Sequence, residues 1–134
     1  MAARTFTPSE ANSALSRVRP LAERMVEVRA QLEELDAEQR DVIKVVAGNG
    51  HGRAVGEARS PEFNRLGEEL EQCVTQLEQI GVEIKDVETG LLDFPAVREG
   101  EDVLLCWQVG EDAVEWWHGL DDGFAGRRPI DWDG

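Results

Sequence analysis

The sequence predicts an α+β fold, a long antiparallel two-helix hairpin packed on a three- or four-stranded antiparallel β-meander. Three observations carry that expectation. Apolar residues recur at three- and four-residue spacing from Ala11 to Val46, and again from Phe63 to Ile80. One breaker-rich stretch, 47–60, separates the two patterns. After Gly81 the pattern changes to short β-rich runs divided by turn residues. The 134 residues suit a single unit spanning 1–134.

The first helix is expected over about 8–46. Thr7-Pro8-Ser9-Glu10 supplies an N-cap, a proline at the first helical position and a glutamate that closes a capping box. Its heptad seam is Ala11, Ala14, Val18, Leu21, Met25, Val28, Leu32, Leu35, Gln39, Val42 and Val46, with Gln39 alone polar. Pro20 keeps the phase of this seam, but it cannot donate to the carbonyl of Ser16, which predicts a kink. Residues 47–60 then read as the hairpin loop. Gly48-Asn49-Gly50-His51-Gly52-Arg53 is glycine-rich, yet it lacks the GK[ST] ending and the preceding strand of a phosphate-binding loop.

Ser60-Pro61 opens the second helix, expected over 61–80, and Gly81 closes it. Its seam is Phe63, Leu66, Leu70, Cys73, Leu77 and Ile80, with Ile84 in phase beyond it. At 1.5 Å per residue the helices span roughly 60 and roughly 30 Å. The surplus seam of the longer one must meet the sheet, a second subunit or both, so a homodimer is expected.

The meander is expected over 82–118. Leu91-Leu92-Asp93-Phe94 and Val103–Val109 flank a turn at Arg98-Glu99-Gly100, and Gly110-Glu111-Asp112 turns into Ala113-Val114-Glu115-Trp116-Trp117. Residues 82–85 offer a short fourth strand. In the central run Val103, Leu105, Trp107 and Val109 share one face, and Leu104, Cys106 and Gln108 share the other. A strand apolar on both faces belongs in the middle of a sheet with helix over at least one side. Residues 119–134, with four glycines and a proline, read as an irregular tail.

Composition narrows the function classes. The net charge is −14, concentrated late: residues 61–90 carry eight acidic against two basic side chains, and residues 91–134 carry eleven against three. Such a surface repels phosphate backbones and anionic lipid, so neither nucleic acid nor membrane is an expected partner, whereas a basic protein or a cation is accommodated. Cys73 and Cys106 show no CxxC spacing, which suits reduced thiols and a cytoplasmic location. No signal-peptide core opens the chain, and no apolar run reaches spanning length.

Several segments together resemble a known family. These are Phe6-Thr7, Glu10-Ala11-Asn12, Arg19-Pro20-Leu21, Gly90-Leu91-Leu92-Asp93-Phe94-Pro95, Leu104-Leu105-Cys106-Trp107, Trp117-His118, Asp121, Gly123-Phe124-Ala125-Gly126-Arg127 and Pro129-Ile130. The chain resembles the bacterial domain-of-unknown-function family 2203 over nearly its whole length. That resemblance implies no particular activity.

The densest chemistry lies between Trp117 and Arg127. His118, Asp121, Asp122 and Arg127 fall within ten residues at a strand end. Imidazole and carboxylate at this spacing suit a divalent metal ion or acid–base chemistry. The plainer expectation is a polar turn in which Arg127 pairs with Asp121 or Asp122 and His118 donates to a backbone carbonyl. Cys106 joins the candidates as a thiol that a neighbouring His118 would have to activate to make a nucleophile. The sequence therefore favours a non-enzymatic, self-associating interaction or scaffolding protein. The alternative is a small metal- or ligand-binding protein with its site at the end of the meander, with hydrolysis as a further option.

Overall fold

A computed structural model describes residues 4–48 and 60–132, with the side chains of 39–48 excepted. Two helices, α1 (Pro8–Gly48) and α2 (Pro61–Ile80), precede five strands: β1 (Glu83–Asp86), β2 (Leu91–Arg98), β3 (Glu101–Gln108), β4 (Trp116–Gly119) and β5 (Arg128–Pro129). The strands form one antiparallel sheet in sequence order. The fold is α+β.

The helix ends follow from residues close by in sequence. Thr7 N–H donates to Glu10 Oε1 at 2.9 Å, and Glu10 N–H donates to Thr7 Oγ1 at 3.1 Å, satisfying two orphan donors of the first turn. Ser60 Oγ accepts from Phe63 N–H at 3.0 Å, and Gly81 closes α2 at φ 111°, a left-handed conformation that favours glycine. The expected loop at 47–60, with its glycine-rich stretch, lies outside the described residues apart from its ends. Gln39, Val42 and Val46 likewise have no described side chains.

Both predicted seams are used. Ala11, Ala14, Val18, Met25 and Val28 of α1 are buried, as are Leu66, Cys73 and Leu77 of α2. Arg24 adds a bidentate link to Glu69, with Nη2 2.8 Å from Oε1. Pro20 is exposed, while Val18 and Ala22 beside it are fully buried, so the apolar phase continues across the proline. Leu15 and Ala22 are buried as well, which widens the seam into a stripe broad enough to cover the sheet. Leu32 and Leu35 are only half-buried.

One apolar core joins α1, α2 and the helix-facing side of the sheet. Leu92, Phe94 and Ala96 of β2, Val103, Leu105 and Trp107 of β3, and Trp117 of β4 all belong to it. Phe6 packs edge-on to Phe94 with ring centroids 5.2 Å apart, and its N–H donates to Pro95 O at 2.7 Å. Pro95 is tolerated inside β2 because β1 pairs only as far as Asp93, which leaves that edge free of a ladder.

The sheet has five strands, where the sequence suggested three or four. β5 comes from the segment expected to be irregular, which also holds a 3-10 turn at Phe124–Gly126. Its pairing covers only Trp116↔Pro129 and Trp117↔Arg128, too short to leave a period-two signal. The third expected run begins later than its composition suggested. Val114 donates to Asn12 Oδ1 at 2.8 Å, and its carbonyl accepts from Asn12 Nδ2 at 3.1 Å, so a helix side chain replaces the strand neighbour there.

Candidate functional site

Strand alternation places a second set of side chains on the face turned away from the helices. Asp93 of β2 stands directly opposite Cys106 of β3, and His118 of β4 stands opposite Leu104. Residues two apart on one strand share a face, so His118 lies diagonally across from Cys106 and within reach of Asp93. Asp93 is 1% exposed, His118 3% and Cys106 0%. Their ligating atoms, one from each residue, all lie within 4.8 Å of one another.

The hydrogen bonds of His118 define which nitrogen does what. Nδ1 lies 2.7 Å from Gly119 O. A carbonyl only accepts, so Nδ1 carries the hydrogen. Nε2 lies 3.1 Å from Asp93 Oδ1. The proton between Nε2 and Oδ1 is held either as imidazolium with carboxylate or as imidazole with carboxylic acid. Burial raises the Asp93 carboxyl above its ordinary range, against the opposing pull of His118. Burial, reinforced by the Asp93 charge, also pushes the Cys106 thiol up to about 11, with Arg127 pulling the other way. A thiol that seldom ionises at neutral pH is a poor nucleophile, which weighs against covalent chemistry at Cys106.

The tail roofs this face. Asp122 Oδ2 accepts from Gly119 N–H at 3.1 Å. A Cβ on Gly126 would come within 2.6 Å of Asp122 Cβ, so only a glycine lets the turn close this tightly. Arg127 corrects the expected pairing. It bonds neither Asp121 nor Asp122, but donates from Nη2 to Glu111 Oε1 at 2.6 Å and to Cys106 O at 3.4 Å. Its guanidinium also stacks on Trp116 and Phe124. The β5 pairing carries Arg127 back across the sheet towards the β3–β4 connection, and that movement is not visible in local spacing.

Beside the buried trio lies a cavity of about 240 Å³, lined by Lys85, Leu91, Asp93, Leu104, His118, Leu120, Asp121, Gly123 and Phe124. Asp93 and His118 reach it, while Cys106 is not among its lining residues. Leu120 and Phe124 are 59% and 48% exposed, two of the three large apolar side chains left strongly exposed among the described residues. A wider groove on α2 is lined by Glu68, Glu71, Gln72, Thr75, Gln76 and Gln79, all solvent-facing, with no buried titratable group.

Of the sequence candidates, His118 and Cys106 come together, Asp121 lines the cavity, Asp122 braces the turn and Arg127 holds the tail. Asp93 and Glu111 were not singled out. Asp93 did leave a signal, as a lone acid within Leu91-Leu92-Asp93-Phe94 and out of phase with Leu92 and Phe94. No helix among the described residues is long and apolar enough to cross a membrane. No solved structure matches the chain. The model of one family, described as "Uncharacterized conserved protein (DUF2203)", matches residues 4–130, and with nearly the whole chain covered, this protein belongs to that family.

Proposed function

We propose that the protein is a small-ligand-binding module whose site is the cavity over Asp93 and His118. The observation that carries this reading is a hydrogen-bonded pair of buried titratable side chains opening onto a cavity rimmed by exposed apolar ones. Isolated buried polar groups are costly, and replacing a buried pair with packed hydrophobic residues is often neutral or stabilising. Convergent polar groups in an otherwise apolar pocket are what ligand sites share. The cavity, at about 240 Å³, falls below the roughly 300–1,000 Å³ of sites for drug-sized molecules. The ligand is therefore small, with a polar head directed at the pair and an apolar body against Leu91, Leu104, Leu120 and Phe124.

The test is a protein-observed NMR titration with hexanol, hexanoate, hexylamine and phenol at millimolar concentration. At least one should shift the backbone amides of Leu91, Leu104, Leu120 and Gly123, and Leu120→Trp should suppress the response by blocking the mouth. Unmoved amides with all four probes would sink the reading. Two free, buried cysteines support a reducing, cytoplasmic setting for this activity.

Self-association is a second reading, favoured by the length mismatch of the helices. α1 has 41 residues against 20 in α2, and Leu32 and Leu35 remain half-buried where α2 begins. A second copy laid along that surplus seam would cover them. Light scattering at tens of micromolar should then give the dimer mass, and a clean monomer mass would remove this reading.

A further inference from the structure

We propose that Asp93, Cys106 and His118 form a binding centre for a divalent metal ion of the zinc class, with one coordination position open to the cavity. The inference deepens the pocket reading and rests on it for what the open position faces.

Three independent features converge. The first is distance. Zinc binds sulfur at about 2.3 Å and imidazole nitrogen or carboxylate oxygen at about 2.0–2.2 Å, so tetrahedral donors stand roughly 3.3–3.8 Å apart. The donor atoms of the trio all lie within 4.8 Å of one another, and Nε2 and Oδ1 are 3.1 Å apart. Small side-chain rotations bring the three onto one ion.

The second feature is orientation. A ligating histidine almost always donates its other ring N–H to a carbonyl or carboxylate, which fixes the tautomer and the ring plane. Gly119 O performs that role for Nδ1 of His118, leaving Nε2 aimed at Asp93. The third is the donor set. One sulfur, one nitrogen and one oxygen suit Zn²⁺ or Co²⁺, whereas Mg²⁺ and Ca²⁺ require oxygen. Three protein ligands also leave the fourth position that a closed structural site would fill.

Binding displaces the thiol proton and the proton shared by Asp93 and His118. The trio then enters as thiolate, carboxylate and neutral imidazole, whose two negative charges balance the ion. Arg127 beside Cys106 favours the thiolate, although its charge opposes that of the ion. Asp93 and His118 reach the cavity while Cys106 is not among its lining residues, so the open position points towards Leu104, Leu120 and Phe124. The head group taken there is a carboxylate or another lone-pair donor, such as hexanoate among the probes above.

The experiment is a Co²⁺ titration of chelator-treated, reduced protein, followed by absorption spectroscopy. One equivalent should saturate with a thiolate-to-cobalt charge-transfer band, Zn²⁺ should bleach that band by displacement, and Zn²⁺ should raise Tm by several degrees. Cys106→Ser should lose the band. Asp93→Asn and His118→Gln should each weaken Co²⁺ binding at least tenfold, and His51→Ala should leave it unchanged. The wild-type titration stands even if a variant fails to fold. No band with wild type and an unchanged Tm in excess Zn²⁺ would overturn the proposal. A band lost in His51→Ala would overturn it too. Fragment binding by metal-free protein without a cobalt band removes the ion and keeps the pocket. A cobalt band without any fragment response does the reverse.

Discussion

The two faces of one sheet bury their side chains for different purposes. Towards the helices, Leu92, Phe94, Leu105 and Trp107 pack into a single apolar core with Val18, Met25 and Leu77. Towards the tail, the alternate residues of the same strands bury Asp93, Cys106 and His118 under a segment most of whose own residues are exposed. Full burial of a large apolar side chain contributes roughly 1.5–3 kcal/mol. A buried carboxyl–imidazole pair does little better than break even against hydrophobic replacements. The helix face accounts for stability, and the tail face buries polar groups that add little to it.

The sharpest way to break that contrast is to truncate one residue on each side. Phe94→Ala should cost about 3–5 kcal/mol, through lost burial and the cavity left behind. Urea denaturation measures it, and a loss below about 1 kcal/mol would mean that the apolar face is not the source of stability. Asp93→Ala should cost less, about 1–3 kcal/mol, because it strands His118 Nε2 without its partner. The same measurement on His118→Ala and on the double variant closes the cycle. The double loss should fall well short of the sum of the singles, and simple additivity would show that the pair does not act as a unit.

The smallest effect concerns the end of the tail, where Arg98 stacks on Trp117 and Trp132. Arg98 Nη2 lies 2.9 Å from Asp131 Oδ2, and this hydrogen bond holds the Asp131 carboxyl below its ordinary value. A group depressed on folding stabilises the fold above its unfolded pKa, near 4, and that contribution is lost as pH falls through the lower folded value. Asp131→Asn should therefore shrink, slightly, the fall in Tm between pH 6 and pH 3. Superimposable profiles for wild type and variant would show that this exposed pair does not hold the tail.

What was legible in the sequence depended on the reach of each interaction. The capping box at Thr7 and Glu10, the cap at Ser60 and the stop at Gly81 link residues within three or four positions, so composition announces them. The helical seams follow from a period that persists over many turns. Two of the three buried groups were legible in the same way, because His118 follows two tryptophans in a strand and Cys106 interrupts an apolar one. Asp93 was missed because its meaning depends on a neighbour 25 residues away. The Arg127 pairing was misassigned because two aspartates lay closer in sequence than Glu111, which the tertiary path brings to 2.6 Å.

The sequence by itself determined the helices, their caps, the antiparallel run of strands and the two-faced character of β3, since all of these arise from local geometry and short periods. Only the tertiary structure decided what the second face would hold. Register set Asp93 against Cys106 and brought His118 within reach, and the return of the tail through β5 removed them from water. The physical reason is that strand pairing couples residues across hydrogen-bonded ladders rather than along the chain. A single-residue slip would turn each of these side chains to the opposite face and dismantle the site, while leaving composition and spacing unaltered.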